Sequence, residues 1–101
     1  MTDSSYTVVI AKDLADLVPV FMSNRKKELE ALRAALTASD FAQLRQLGHR
    51  MKGVGNSYGF RTVSDLGKKI EDGASSEDET VLNASIDVYA DYLAHVTVVY
   101  E

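Results

Sequence analysis

The sequence predicts an all-α domain, built as an antiparallel four-helix bundle with an additional short helix at its N-terminus. Two observations indicate this class: apolar residues recur at helical spacing through most of the chain, and only one proline and few β-rich runs interrupt them. The connections between the predicted helices are short, which favours antiparallel neighbours. With 101 residues the chain has room for one domain, residues 1–101, of which we expect the polar residues 1–7 to be flexible.

The segment before the bundle is predicted to hold one short helix. The apolar run at 8–10 is too short and too isolated for a sheet, so we expect an extended lead-in that covers the bundle. The sequence AKDLADL at 11–17 predicts the short helix, with Asp13 as a possible N-cap. Pro19 either ends this helix or lies in the first turn of the next one.

Four longer amphipathic helices are predicted to follow, separated by turn and capping signals. Ser39 is a candidate N-cap, Gly59 can adopt the positive φ of a turn without strain, and Ser76 with Glu79 matches a capping box. The expected spans are about 19–37, from Ser39 to about 57, 60–73 and 77–98.

Composition and charge argue against several classes of function. The net charge of −4 and the pI of about 5.1 disfavour a general role on nucleic acid or anionic membranes. No run of about 18 apolar residues could span a membrane, and the first residues lack the basic and apolar regions of a signal peptide. The absence of cysteine fits a reducing compartment. We therefore expect a soluble cytoplasmic protein.

A glycine-rich stretch around a histidine is the most unusual local feature of the sequence. Residues 48–60, GHRMKGVGNSYGF, contain four of the six glycines, although each glycine within a helix costs roughly 0.5–1 kcal/mol relative to alanine. At 100° per residue, the core stripe of this helix lies opposite His49, which is therefore predicted to face outward. The stripe consists of Leu44, Leu47, Met51, Val54 and Tyr58.

The residues that share the outward face with His49 indicate a chemical role for it. Arg45, Lys52, Gly53 and Asn56 lie within about 60° of His49 on the helical wheel. Neighbouring cations favour the neutral imidazole, which is a nucleophile, and would stabilise an anionic group attached to it. Gly53, one turn away, removes bulk beside the ring and would let another protein approach. The alternative interpretation is an ordinary solvated histidine.

No other motif competes with this cluster. GVGNSYG is not a dinucleotide-binding fingerprint, because Tyr58 occupies the position of its third glycine and no strand precedes it, and the chain has no P-loop sequence. Neither His49 nor His95 has a partner at metal-ligand spacing, so no zinc or di-iron site is expected. Gly48 and Gly55 border the core stripe, and we expect them to allow close packing of helices.

The stretch HRMKGVGNSYGF resembles the core motif of histidine phosphotransfer (HPt) domains of bacterial phosphorelays. In that family a histidine is followed by lysine and glycine at +3 and +4 and by a glycine about ten residues on. Here these are His49, Lys52, Gly53 and Gly59. The downstream LGKKIEDGA is similar to the family's following helix, with Glu71 matching its usual glutamate.

This resemblance, which covers about residues 12–98, implies a fold and a function. The family fold is an elongated four-helix bundle with a short N-terminal helix. Its histidine, here His49, carries a phosphoryl group on Nε2 and exchanges it with an aspartate of a response-regulator receiver domain. Hybrid sensor histidine kinases are the other implied partners. Lys52, Arg45 and Asn56 would support the phosphoryl group, and Gly53 would lie on the docking surface.

The implied protein is a phosphoryl carrier and not an enzyme, because the sequence has no nucleotide-binding element. No cofactor is expected, since Mg²⁺ would come from the receiver domain, and we expect a monomer. A non-catalytic helical adaptor is the alternative function. The partner of the second His49 nitrogen is not identified by the sequence. Arg25 is expected either to form a structural ion pair, for which Glu71 is a candidate, or to reach the phosphoryl site.

Overall fold

The structure is a computed structural model that describes residues 6–101, and four helices make up most of it. The four long helices predicted from the sequence are therefore confirmed. A 3₁₀ helix occupies the stretch predicted as a short helix. Within the described residues no helix has both the length and the apolar character needed to cross a bilayer. In chain order the elements are β1 (Tyr6–Ile10), the 3₁₀ helix (Lys12–Leu17), α1 (Val18–Thr37), α2 (Phe41–Tyr58), α3 (Arg61–Ser75), α4 (Glu79–His95) and β2 (Val96–Tyr100).

The two ends of the described chain pair as a parallel two-stranded sheet, which corrects the all-α prediction. The register runs from Tyr6 opposite Val96 to Ile10 opposite Tyr100. The apolar run at 8–10 is thus a strand and not an unpaired lead-in, and the last helix ends at His95 instead of about 98. The sequences YTVVI and VTVVY are rich in β-branched and aromatic residues, which favour strands over helix termini.

The last two of residues 1–7, the stretch predicted to be flexible, form part of a strand. Tyr6 and Thr7 belong to β1, where they pair with Val96 and Thr97. The remaining residues of that prediction, 1–5, lie outside the described part of the chain.

Three of the predicted caps are wrong, and in two cases an aspartate one or two residues further on takes the role. Asp40 caps α2 by accepting a hydrogen bond from the Gln43 amide at 3.1 Å, and Asp78 caps α4 through the Val81 amide at 3.2 Å. Asp13 is no cap either, since it lies inside the 3₁₀ helix, whose N-cap is Ala11. Two further predictions hold. Pro19 lies in the first turn of α1, and Gly59 ends α2 with a φ of +83°.

The two serines that were predicted as N-caps, Ser39 and Ser76, lie in the turns before α2 and α4. In each turn one residue has a positive φ. Ser39 has a φ of +53° and Glu77 a φ of +52°, both in the left-handed region. Ser76, the other predicted cap, instead donates from its hydroxyl to the Asp72 carbonyl at 2.9 Å. The chain therefore turns at these residues, and the next helix starts only after them.

The helices α2 and α3 pack with their backbones almost in contact. Gly48 of α2 lies against Gly67 and Glu71 of α3, and Gly55 lies against Ser64, so the two helices run in opposite directions. This confirms the expectation that Gly48 and Gly55 allow close packing. The side chains that fill the core come from all four helices and β1, and its largest fully buried members are Tyr89, Tyr92, Phe60, Ile10, Leu32, Leu44, Met51, Ile70, Leu82, Ile86 and Val63.

Arg25 forms a structural ion pair, but with Glu28 of its own helix and not with Glu71. The Arg25 Nε lies 3.1 Å from Glu28 Oε1, and both side chains are buried. The Tyr89 hydroxyl of α4 donates to the same Glu28 oxygen at 2.9 Å. Burial raises the pKa of the Glu28 carboxyl, although Arg25 and the Tyr89 hydroxyl oppose the rise. This buried polar cluster connects α1 to α4.

Candidate functional site

His49 projects from α2 on the side away from the core, as predicted. The inner face of the helix buries Leu44, Leu47 and Met51, which fixes the rotation of α2 about its axis. The His49 side chain is 70% exposed. A buried structural histidine is therefore ruled out, and the ring is accessible to another molecule.

Glu71 of α3 holds both His49 and Lys52. Its Oε2 lies 2.9 Å from His49 Nδ1, and its Oε1 lies 3.3 Å from Lys52 Nζ. On α3 the core positions include Val63 and Ile70, so Glu71 falls at the edge of the buried face, beside α2. Its side chain is 21% exposed.

The contact with Glu71 determines which nitrogen of His49 carries the proton. Partial burial acts to raise the pKa of the Glu71 carboxyl, but the contacts with Lys52 and His49 outweigh it, and the pKa is lowered. Glu71 is therefore a carboxylate at neutral pH and can only accept hydrogen bonds. His49 must donate from Nδ1–H, so Nε2 is the unprotonated nitrogen of the neutral ring and its lone pair is available.

An open cavity beside His49 is lined by positively charged and polar side chains and by one carboxylate. Its lining residues are Arg45, Gln46, His49, Arg50 and Glu71. Because the two arginines have one acidic neighbour in this lining, the cavity suits an anionic group attached to the imidazole.

Of the three residues predicted to support the phosphoryl group, two lie beside His49 and one does not. Arg45 lines the cavity, and Lys52 reaches the Glu71 carboxylate that also binds His49. Asn56 is exposed two turns further along α2 and is not among the lining residues.

Gly53 lies where the prediction of an open surface requires it. A Cβ built on Gly53 would meet none of the described heavy atoms outside its own helical surroundings within 4 Å. The glycine is thus unnecessary for packing, and a side chain there would project into solvent. Because Gly53 has no side chain and lies one turn from His49, the surface beside the ring is free of side-chain bulk.

Two residues of the site and one contact were not identified from the sequence. Gln46 and Arg50 line the cavity. Gln46, three residues before His49, lies about 60° from it on the helical wheel, inside the arc of the predicted cluster, and Arg50 lies outside it at about 100°. The contact is that of Glu71 with His49 Nδ1: the resemblance names Glu71 but does not assign it to this nitrogen, and it belongs to a different helix. A signal for it exists in the sequence, because Gly67 lies one turn before Glu71 and marks the face of α3 that approaches α2 most closely.

The second histidine, His95, has a carboxylate neighbour but a different electrostatic setting. Its Nδ1 lies 3.1 Å from Asp91 Oδ1, and the Tyr6 hydroxyl donates to the other oxygen of Asp91 at 2.9 Å. His95 is the last residue of α4, where the helix dipole disfavours an added anion. This environment is less suited to a phosphoryl group than that of His49.

Comparison with known proteins matches most of the chain to one family. A model of the Hpt domain matches residues 16–96, which is most of the chain. No curated protein and no solved structure gave a significant match. In the described part of the chain, no group of three or more histidine, cysteine, aspartate or glutamate side chains is arranged to hold a metal ion.

Proposed function

The chain belongs to the Hpt domain family, and on that premise we propose that it accepts a phosphoryl group on His49 and exchanges it with an aspartate of a response-regulator receiver domain. Hpt domains act as phosphocarriers in phosphorelays and interact with receiver domains and kinases. The proposed protein is accordingly a carrier that has no nucleotide site of its own.

The observation that carries the proposal is the contact between His49 Nδ1 and Glu71 at 2.9 Å on an exposed ring. A nucleophile for phosphoryl transfer must be accessible, deprotonated at the attacking atom and held in one orientation. Glu71 meets the last two requirements by accepting a hydrogen bond from Nδ1–H, and the 70% exposure of the side chain meets the first.

In the proposed transfer, the lone pair of His49 Nε2 attacks the phosphorus of an aspartyl phosphate. The N–P bond forms, the bond from phosphorus to the aspartate oxygen breaks, and the electron pair of that bond returns to the receiver's carboxylate. The imidazole keeps its Nδ1 proton and gains positive charge, which the Glu71 carboxylate stabilises at 2.9 Å. The reverse transfer follows the same path, and the receiver domain would supply Mg²⁺.

Cations around the ring would stabilise the phosphoryl oxygens. Arg45 and Arg50 line the cavity beside His49, and Lys52 lies within reach of the same carboxylate as the ring. A charge-assisted hydrogen bond is worth roughly 1.5–3 kcal/mol, so each such contact could change the transfer rate tenfold or more. Asn56 is the weakest member of the proposed set, because it is not part of the cavity lining.

The test is transfer from phosphorylated receiver domains to the purified protein. We expect an acid-labile, alkali-stable label on the wild type, no label on His49→Gln, and a normal label on the matched variant His95→Gln. The helical circular dichroism of all three should agree. Incubation with ATP and Mg²⁺ alone should give no label. A His49→Gln variant that retains its biological activity would instead favour a non-catalytic adaptor.

A further inference from the structure

We infer that Gly48 and Gly67 are positioning residues for His49, because their close contact brings Glu71 within hydrogen-bonding distance of the imidazole. The inference rests on the proposed function only for its kinetic consequence. Its structural part concerns the geometry of the free protein and can be tested without any phosphoryl group.

Gly48 is in close contact with the backbone of α3. A Cβ at Gly48 would lie 2.6 Å from the Glu71 amide nitrogen, 2.7 Å from the Gly67 carbonyl oxygen and 3.1 Å from the Glu71 Cα. All three are backbone atoms, so no side-chain rotation can relieve the overlap. An alanine at this position would have to displace the segment of α3 that carries Glu71.

The contact is reciprocal, because Gly67 of α3 lies equally close to the backbone of α2. A Cβ at Gly67 would lie 2.6 Å from the Gly48 carbonyl oxygen and 2.6 Å from the Lys52 amide nitrogen. The two glycines therefore oppose each other directly, one on each helix. Gly48 precedes His49 in the chain, and Gly67 lies one turn before Glu71. The glycine contact therefore joins the two backbone segments whose side chains form the hydrogen bond.

The displacement that an alanine at position 48 requires is as large as the hydrogen bond between His49 and Glu71 can tolerate. To reach ordinary van der Waals contact, the separation at Gly48 must grow from 2.6 Å to about 3.4 Å. The His49 Nδ1 to Glu71 Oε2 distance is 2.9 Å, and a side-chain contact near 3.6 Å is no longer a hydrogen bond. A displacement of that size would weaken or break the contact that fixes the tautomer.

Gly55 provides a matched control on the same helix. A Cβ there would lie 2.5 Å from the Ser64 amide nitrogen and 2.9 Å from the Phe60 carbonyl oxygen, so the overlap is as severe as at Gly48. It falls two turns further along α2, against a part of α3 that does not carry Glu71. A purely structural role for these glycines predicts the same behaviour for both positions.

The experiment measures the tautomer of His49 in the full chain by imidazole ¹⁵N NMR, at a pH where the ring is neutral. We expect the Nδ1–H form to dominate in the wild type and in Gly55→Ala. In Gly48→Ala and in Gly67→Ala the ratio of Nδ1–H to Nε2–H should fall roughly tenfold, the effect of losing a hydrogen bond to a charged group. In a Glu71→Ala background, Gly48→Ala should cause no further change.

Several outcomes would overturn the inference. These are an unchanged tautomer ratio in Gly48→Ala or Gly67→Ala, an equal change in Gly55→Ala, or an additional effect of Gly48→Ala when Glu71 is absent. If neither alanine variant folds while Gly55→Ala does, the contact is needed for folding and the positioning role is wrong.

The transfer rate provides the link to function. Phosphoryl transfer to His49 should slow in Gly48→Ala and Gly67→Ala by a factor similar to the change in tautomer ratio, while Gly55→Ala keeps the wild-type rate. A wild-type protein that accepts no label would contradict the proposed function and leave the tautomer result standing. A wild-type transfer rate in a variant with an altered tautomer would contradict the kinetic consequence alone.

Discussion

Glu71 is the residue on which the chemistry of the site depends most. One carboxylate contacts an imidazole nitrogen through one oxygen and an ammonium group through the other. The first contact orients the nucleophile, and the second holds Lys52 beside it. Because His49 and Lys52 belong to α2 and Glu71 to α3, the same contacts also connect the two helices.

The ionised Glu71 should stabilise the protein in a pH-dependent way. The pKa of its carboxyl is lower in the folded protein than its ordinary value of about 4.5, so the ionised group stabilises the fold fully above that value. This contribution is lost as the pH falls through the folded pKa. Urea unfolding should therefore find Glu71→Gln less stable than the wild type near neutral pH, with a difference that shrinks towards zero in acid.

A neighbouring acid on α3 provides the control for that measurement. Asp72 pairs with Lys68 at 3.2 Å, but both side chains are more than half exposed. Exposed ion pairs contribute at most about 1 kcal/mol, so Asp72→Asn should change stability little at any pH. An equal loss in both variants would mean that Glu71 is only another surface charge.

Gly53 should separate stability from function. Since a side chain at this position would meet open space, Gly53→Ala and Gly53→Leu should raise the free energy of unfolding by up to roughly 1 kcal/mol through helix propensity. Leucine would also stand between His49 and an incoming receiver domain. Phosphoryl transfer should fall steeply in Gly53→Leu and less in Gly53→Ala, while both melting temperatures hold or rise. A destabilised leucine variant, or one with a normal transfer rate, would contradict the proposed role of this glycine.

At the scale of elements, the sequence predicts the helices well and their ends less well. Ser39 and Asp40 are both good capping residues, and the choice between them depends on which one adopts the left-handed conformation. Ser39 does so, with a φ of +53°, and its amide binds the Leu36 carbonyl while that of Asp40 binds the Ala35 carbonyl. This C-terminal motif usually contains glycine, as at Gly59, so a serine in the same place gives no local signal.

The buried polar cluster between α1 and α4, formed by Arg25, Glu28 and Tyr89, should contribute far more to stability than an exposed ion pair between the same helices. Removing Glu28 would leave Arg25 buried without its partner and the Tyr89 hydroxyl without its acceptor. We expect Glu28→Ala to lower the free energy of unfolding by about 3–5 kcal/mol.

Arg33 is the control for this prediction, because it also connects α1 to α4. Its Nη1 lies 3.5 Å from Asp87 Oδ1, and both side chains are mostly exposed. Arg33→Ala should therefore cost less than about 1 kcal/mol. Chemical denaturation of both variants measures the difference, and similar costs would show that the buried cluster adds nothing beyond an ordinary surface pair.

At the scale of the whole molecule, distance along the chain limits what the sequence can predict. His49, Lys52 and Gly53 lie on one helix, so a helical wheel places them together. Glu71 joins them only through the register of α3 against α2, which depends on the close contact of their glycines.

Distance along the chain also explains why the terminal sheet was not predicted, and here the distance is larger. The strands β1 and β2 are separated by the entire helical bundle, and each looks isolated in its own stretch of sequence. Their β-branched composition favours strands, but it does not identify the partner. The matched family region, residues 16–96, ends where β2 begins, so the strand pair lies almost wholly outside it.

The terminal sheet should nevertheless be part of the core, and Ile10 is the residue that tests this. Its side chain is 1% exposed, and its Cδ1 would lie 3.4 Å from a Cβ at Gly59, the turn that ends α2. The Ile10 carbonyl also accepts a hydrogen bond from the Glu101 amide at 3.1 Å, which extends the strand pairing. Ile10→Ala should lower the free energy of unfolding by about 2–5 kcal/mol, as expected for a large core residue.

Val9 is the neighbouring control, since it points to the opposite face of the same strand and is 53% exposed. Val9→Ala removes a β-branched side chain but little buried area, so its effect should stay below about 1 kcal/mol. Urea denaturation compares the two variants directly. Because α2 ends at Gly59, ten residues beyond His49, Ile10→Ala should leave the transfer rate unchanged wherever the protein is folded. Equal costs for Ile10→Ala and Val9→Ala would mean that the strands lie on the bundle without contributing to its core.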